Sequence, residues 1–74
     1  MTDHQYKLNY LVYKEGKQFV SQCLNFDVAS CGDTYEEALF NIQEAVALFL
    51  EDNDNIDYLP ISTVGITETY MTIT

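Results

Sequence analysis

Residues 30–41, SCGDTYEEALFN, mark the point at which the chain changes from strand to helix. After Gly32 the apolar residues recur every three or four positions, which is the period of a helix. Thr34 and Glu37 match the S/T-x-x-E pattern of a capping box, in which the threonine hydroxyl accepts from the Glu37 amide and the glutamate reaches back to the Thr34 amide. Gly32 supplies a permissive backbone where the strand turns into the helix. The stretch therefore predicts a helix with Thr34 as its N-cap.

Two further acidic residues of this stretch, Asp33 and Glu36, place negative charge beside the positive end of the helix dipole. A catalytic alternative would use them with Glu37 as a carboxylate pair or as ligands of a divalent ion. Such a site recruits further groups, yet the chain has no arginine, one histidine and no G-x-S-x-G, P-loop or zinc spacing. We therefore expect a helix cap, no catalytic residue and no enzyme activity, with a metal-dependent hydrolase as the alternative that metal titration would test.

The helix is expected to run to about Leu50 with one apolar side against a sheet. Its apolar stripe consists of Tyr35, Ala38, Leu39, Ile42, Ala45, Val46 and Phe49. A second apolar set lies away from that stripe and consists of Phe40, Ala47, Leu48 and Leu50. Because this apolar surface is wider than one packing contact needs, we expect a second neighbour, such as another subunit, to cover part of it.

Three stretches before the helix have the composition or alternation of strands. They are YKLNYLVY (6–13), QFVSQC (18–23) and VASC (28–31). The polar loop 14–17 contains Gly16 and predicts a hairpin between the first two strands. Residues 24–27, LNFD, break the alternation and predict a bulge or a wide turn before the third strand.

The acidic run EDNDNID, residues 51–57, predicts a loop after the helix. Asp52 and Asp54 alternate as in a calcium-binding loop. Ile56 and Asp57, however, stand where a further oxygen ligand and the tight-turn glycine belong, so we interpret the run as a solvated loop. Metal binding by Cys23, Cys31 and the terminal His4 would need more ligands, and the two cysteines are interpreted as small, partly buried apolar residues in a reducing compartment. No cofactor is expected.

The final stretch, VGITETYMTIT (64–74), is rich in threonine and β-branched residues and predicts a last strand. The order strand, strand, strand, helix, strand predicts a single α+β domain over residues 1–74, a two-layer β-β-β-α-β sandwich with one sheet face uncovered. Glu68 is the only charge of the last strand, so an edge there would lack the usual protection against pairing. We therefore expect a homodimer or a higher homo-oligomer.

The charge of the chain argues against direct binding to nucleic acid. Twelve carboxylates and three lysines give the 74 residues a formal net charge of −9, which is the wrong sign for contact with phosphate backbones. The same charge suits a basic protein partner, although acidity also simply keeps a small apolar domain in solution. No signal sequence and no run of about 18 apolar residues is present, so we expect a cytoplasmic protein and no membrane partner.

The ordered pattern around the helix start resembles the amino-terminal domain of the HicB family of antitoxins, over roughly residues 5–74. The matching residues of the central block are Gly32, Asp33, Thr34, Glu36, Glu37, Ala38, Leu39 and Asn41. Those of the helix end are Glu44, Ala45, Leu48, Phe49 and Leu50, and those of the approach are Val20, Cys23, Asp27, Val28 and Ser30. Leu59 and Pro60 resemble the family's L-P before the last strand. Leu24, Asn25 and Cys31 depart from the usual proline, glutamate and glutamine.

The resemblance implies a partial ribonuclease H-like, HicB-like fold without a nuclease site. It also implies the antitoxin of a type II toxin-antitoxin system, which binds and occludes a small basic HicA-type mRNA-cleaving ribonuclease. The family's carboxy-terminal DNA-binding domain is not matched, so operator binding is not expected. The alternative is a stand-alone HicB-like oligomerisation or adaptor domain without a toxin partner.

We expect partner contacts from the uncovered sheet face, from the loop Asn25, Phe26 and Asp27, and from the acidic helix ends, including Asp33 and Glu36.

Overall fold

The computed structural model describes residues 6–52 and 57–72, in which three antiparallel strands and one helix form an α+β domain. The elements are β1 (Tyr10–Glu15), β2 (Gln18–Cys23), β3 (Val28–Gly32) and α1 (Tyr35–Asp52), and the strand order in the sheet is β1-β2-β3. The α+β class, the three strands and the helix are confirmed. His4, Asp54 and Ile56 lie outside the described residues. Within the described residues, no helix has the length and apolarity needed to cross a membrane.

A two-residue turn, Gly16 and Lys17, joins β1 to β2, with Glu15 opposite Gln18 in the register. Gly16 has a φ of 63°, and no non-glycine residue of the described chain has a positive φ. This combination matches a type II′ hairpin turn, whose twist suits antiparallel strands. The predicted hairpin is confirmed, but Lys14 and Glu15 belong to β1 rather than to the loop because pairing continues up to the turn.

The first strand begins at Tyr10, four residues later than the alternation predicts. The pairing with β2 stops there because Asn9 uses its backbone differently. Its carbonyl accepts from the Leu24 amide at 2.8 Å, but its N–H donates to the side chain of Asn25 at 2.7 Å. The side chain of Asn25 therefore occupies the position at which a backbone carbonyl of a neighbouring strand would accept from Asn9.

The core lies between the sheet and α1. Its buried residues are Cys23, Phe26, Ile42 and Val46, and the partly buried residues packed on them are Leu8, Tyr10, Val28, Leu39, Phe49, Leu50 and Tyr58. The apolar stripe of the helix is thus confirmed at its centre, although Tyr35 is half exposed. Leu50, which the sequence placed off the stripe, packs against the core because the helix continues to Asp52 and its last turn still faces the sheet.

The other sheet face carries no helix in the described part of the chain. The residues that alternate with the core-facing ones are Leu11, Tyr13, Glu15, Gln18, Val20, Gln22, Ala29 and Cys31. Most are apolar, and all are partly or fully exposed. We call this set the uncovered face.

The start of α1 differs from the predicted cap in one bond. The Glu37 amide donates to the Thr34 hydroxyl at 3.0 Å, as predicted. The Glu37 carboxylate, however, accepts from the amide of Asp33 at 2.8 Å rather than from that of Thr34. The Glu37 carboxylate therefore bonds to the residue before the N-cap instead of to the N-cap itself. Together with the Thr34 bond, it still fixes the chain where it enters the helix.

The reason for glycine at position 32 is close packing rather than backbone freedom. Gly32 is buried, and a Cβ atom built on it would lie 2.6 Å from the backbone nitrogen of Ala38 and 2.9 Å from the carbonyl carbon of Glu37. Gly16 is the only described residue with a positive φ. The absence of a side chain at Gly32 therefore allows the first turn of α1 to lie directly on β3.

The expected fourth strand is not present in the described residues 57–72. This part of the chain has no regular secondary structure, and Ile66 and Met71 are 77% and 82% exposed, while Tyr70 is fully exposed. β-branched composition favours a strand only where a partner edge is in place, and the segment does not pair with its own sheet. The molecule is correspondingly elongated, with a radius of gyration of 15.0 Å, whereas a compact domain of this length has about 11 Å.

Candidate partner-binding site

A pocket of about 650 Å³ opens beside the loop between β2 and β3, next to the last turn of α1. Its lining residues are Leu24, Asn25, Phe26, Asp27, Phe49, Asp57 and Leu59. The volume is within the range of about 300–1,000 Å³ that is usual for ligand-binding pockets. The lining combines apolar side chains with two carboxylates, and we refer to it as the acidic pocket.

The floor of the acidic pocket contains Phe26 and Phe49, which belong to a cluster of aromatic rings around Phe26, a residue that is 6% exposed. The ring centroid of Phe26 lies 5.4 Å from that of Phe49, 5.7 Å from that of Tyr58 and 6.0 Å from that of Tyr6. Aromatic pairs prefer tilted or edge-to-face arrangements at about 4.5–7 Å, so these contacts are favourable. The cluster fixes the floor by packing residues from four separate parts of the chain.

Asn25 is buried, at 2% exposure, and holds the loop in place. Its side-chain oxygen accepts from the Asn9 amide at 2.7 Å, and its Nδ2 donates to the Leu59 carbonyl at 2.8 Å. The Asn25 carbonyl in turn accepts from the Leu59 amide at 3.2 Å. One buried amide side chain thus has both its oxygen and its nitrogen paired, and it joins the loop to two distant backbone groups.

Hydrogen bonds hold the segment after α1 beside the pocket. Leu59 bonds to Asn25, and the hydroxyl of Tyr58 donates to the Lys7 carbonyl at 2.7 Å. Asp57 is thereby held at the wall of the pocket. The sequence placed Asp57 in a solvated loop and did not identify it as a site residue. The signal was absent because the partners that position it, Asn25 and Lys7, are distant in the chain.

The lining of the acidic pocket contains two carboxylates and no cationic residue. Asp27 and Asp57 are both exposed at its edge. Phe49 belongs to the last turns of α1, which contain no basic residue, so the negative end of the helix dipole adds to the same field. An apolar floor with carboxylates at the edge suits a lysine or arginine side chain, whose aliphatic part packs on the rings while its charged end meets the carboxylates.

The structure brings together three of the five predicted contact residues. Asn25, Phe26 and Asp27 all line the acidic pocket, but of the three only Asp27 is exposed, so the other two serve to build the site. Asp33 and Glu36 are exposed near the other end of α1, an 18-residue helix about 27 Å long. They form a separate patch rather than part of the pocket.

The remaining titratable residues of the described chain are the possible ligands of a metal ion. Among residues 6–52 and 57–72, no group of three or more His, Cys, Asp or Glu side chains is arranged to hold a metal ion. Cys23 is buried in the core, whereas Cys31 is exposed on the uncovered face. Burial raises the pKa of the Tyr10 phenol above its ordinary value, and the neighbouring Cys23 adds to the shift.

Comparison of the chain with protein-family models, with curated proteins and with solved structures found no match.

Proposed function

We propose that the chain is a binding module that neutralises a small basic ribonuclease of the HicA type in the cytoplasm, as HicB-like antitoxins do. The proposal includes no catalytic step and no contact with nucleic acid. It also includes the finer fold, a partial ribonuclease H-like β-β-β-α-β unit in which residues 64–72 become the last strand when they are paired. The residue pattern from Gly32 to Asn41 supports the family assignment.

The observation that carries the proposal is the acidic pocket. Its aromatic floor is fixed by packing and by the Asn25 hydrogen bonds, so a partner does not have to order it. Asp27 and Asp57 are free to meet a cationic side chain at its edge. A preformed apolar floor with carboxylates around it is the complement of a basic, partly apolar protein surface.

The net charge supports the same kind of partner at longer range. With a formal net charge of −9, the chain attracts a basic protein before contact and accelerates the encounter. Once docked, a domain of 74 residues is large enough to cover the active site of a small ribonuclease. Inhibition then follows from exclusion of the RNA, whose charge the acidic chain also repels.

Co-expression with the HicA-type toxin encoded beside the gene tests the proposal. We expect the chain to restore the growth of cells that express the toxin and to co-purify with it as a complex. A matched variant carries Asp27→Asn and Asp57→Asn, which remove the carboxylates of the pocket and leave the buried side chains in place, and we expect it to restore growth less well. If the unaltered chain neither restores growth nor forms a complex, the proposal is wrong.

A stand-alone oligomerisation or adaptor domain is the second candidate. The observation that favours it is the exposed apolar segment 64–72, which has no partner within the described chain. A small basic HicA-like reading frame beside the gene would argue against this candidate, and the lack of one would place it above the first.

A further inference from the structure

Residues 64–72 are a strand-forming segment without a strand partner in the described chain. They read VGITETYMT and include the highly exposed side chains of Ile66, Tyr70 and Met71. Leaving this much apolar surface in water is unfavourable, and β-branched and aromatic residues gain most when they pair on an existing sheet. Nine residues span about 30 Å as a strand, which exceeds the length of any strand of the sheet.

The sheet offers two free edges, because β1 and β3 are its outer strands in the described structure. The edge of β3 is the less suitable one. The carbonyl of Cys31 in β3 already accepts from the side chain of Asn41 at 2.8 Å. The strand is also flanked by Asp27 and Asp33, which would repel the carboxylate of Glu68 in the segment.

The edge of β1 has the complementary charge. All three cations of the chain, Lys7, Lys14 and Lys17, lie in β1 or next to it. Glu68 is the only charge within residues 64–72; β1 itself contains one carboxylate, Glu15, but Lys14 and Lys17 stand on either side of it, so this edge keeps a net positive charge for Glu68 to meet. Beyond charge, the exposed backbone groups of an edge strand are the usual point of strand addition.

We propose that residues 64–72 of one copy add as a strand to the β1 edge of a second copy, and that the exchange is reciprocal. In its own chain the segment extends away from the sheet, which makes the molecule elongated and leaves both the segment and the β1 edge unpaired. In a two-fold symmetric exchange, the segment of each copy pairs with the β1 edge of the other copy. One type of contact therefore pairs the segment and the edge in both copies. It also gives a domain of this size the additional buried surface that small chains commonly need.

The oligomeric state of the full chain tests this proposal, measured by light scattering after size-exclusion chromatography. We expect a dimer for the unaltered chain and a monomer for the double variant Ile66→Pro, Thr67→Pro. Neighbouring residues in a strand point their N–H groups to opposite sides, so a pair of prolines removes one ladder donor whatever the register. The matched control, Ile66→Val with Thr67→Ser, keeps both N–H groups and stays dimeric.

The proline pair leaves the folded domain intact, because this segment does not pair with the sheet of its own chain, and circular dichroism checks that the helix signal is retained. A monomeric unaltered chain would overturn the proposal, and so would a proline variant that remains dimeric. The edge is identified by carbodiimide cross-linking of a mixture of isotope-labelled and unlabelled chains. Peptides joining Glu68 of one label to Lys14 or Lys17 of the other are expected, and links found only within one chain would contradict the exchange.

This test is independent of the toxin. A dimer that exchanges its last strands can form whether or not a ribonuclease partner exists, and a monomeric chain could still bind one.

Discussion

Asn25 is the residue on which the acidic pocket depends most. It joins the loop after β2 to Asn9, 16 positions earlier, and to Leu59, 34 positions later. We expect Asn25→Ala to lower the free energy of unfolding by about 1–3 kcal/mol, because the half-buried Asn9 amide loses its acceptor, whereas the carbonyl of the exposed Leu59 can turn to water. Urea unfolding followed by circular dichroism measures the loss. A change below half a kcal/mol would show that the bonds are not part of the folded state in solution.

The matched control at this position is Asn25→Asp, which keeps an acceptor for the Asn9 amide but places a carboxylate against the Leu59 carbonyl. Burial and the facing carbonyl raise the pKa of the new carboxyl in the folded state above its unfolded value. Its protonated form can donate to the carbonyl, so the stability lost at neutral pH is recovered as the pH falls through the raised pKa. We expect the difference in unfolding free energy between this variant and the unaltered chain to shrink toward acid pH. A difference that does not change with pH would argue against the donor role of the amide.

Thr34 caps α1, and its loss affects the helix rather than the pocket. Thr34→Ala removes the acceptor of the Glu37 amide, and we expect a loss of about 0.5–2 kcal/mol of stability. Thr34→Ser keeps the hydroxyl and should remain within a few tenths of a kcal/mol of the unaltered chain. Chemical unfolding of the three chains side by side provides the measurement. If the alanine variant lost partner binding with unchanged stability, the cap would not be the main role of Thr34.

These residues differ in how far the sequence could predict them. The Thr34 cap was predictable because its partner is three positions away and the pattern is local. The partner of the Glu37 carboxylate was not predicted correctly. It accepts from the amide of Asp33 instead of that of Thr34, and a difference of one residue depends on side-chain geometry. The role of Asn25 was not predictable because its partners are 16 and 34 positions away. The only local signal was an amide between two apolar residues, Leu24 and Phe26.

At the scale of the elements, the contact between β3 and α1 depends on the missing side chain of Gly32. A Cβ atom there would lie 2.6 Å from a backbone nitrogen of the helix, and backbone cannot move aside as a flexible side chain can. We expect Gly32→Ala to cost about 1–3 kcal/mol, as other overpacked positions do. Thermal unfolding measures this cost.

Gly65→Ala is the matched control for this contact, because no heavy atom lies within 4 Å of the corresponding Cβ position in the single chain. Measured in the Ile66→Pro, Thr67→Pro background, in which residues 64–72 do not pair with a second copy, it should leave the melting temperature nearly unchanged. Equal effects of the two substitutions would mean that the close approach of helix and strand does not limit stability.

Elements that form through local interactions were predictable from the sequence. Features that need contact with a distant part of the chain, or with another chain, were not. The hairpin at Gly16 and the helix from Tyr35 follow from turn chemistry and from apolar periodicity. The last strand was predicted from composition alone, but composition does not supply an edge to pair with, and residues 64–72 have none in the single chain. The acidic pocket required the segment after α1 to return to the β2–β3 loop, which periodicity does not show.

At the scale of the whole molecule, charge is distributed unevenly. The three lysines lie in or near β1, whereas the acidic pocket and the start of α1 carry unbalanced carboxylates. The β1 edge of the sheet is therefore suited to residues 64–72 of a second copy, with their single charge Glu68, and the carboxyl-terminal end of the helix is suited to a basic partner. The two proposals use different surfaces, so they are compatible in one assembly.

The central claim is that the acidic pocket binds a basic protein, and calorimetric titration with the HicA-type toxin tests it most directly. The pocket variant is Asp27→Asn with Asp57→Asn, and the control is Glu15→Gln with Glu44→Gln, which removes the same charge from exposed positions away from the pocket. We predict that the pocket variant weakens binding by roughly tenfold or more, about 1.4 kcal/mol, and that the control changes it far less. Equal weakening by both variants, or no binding of the toxin to the unaltered chain, would contradict the account.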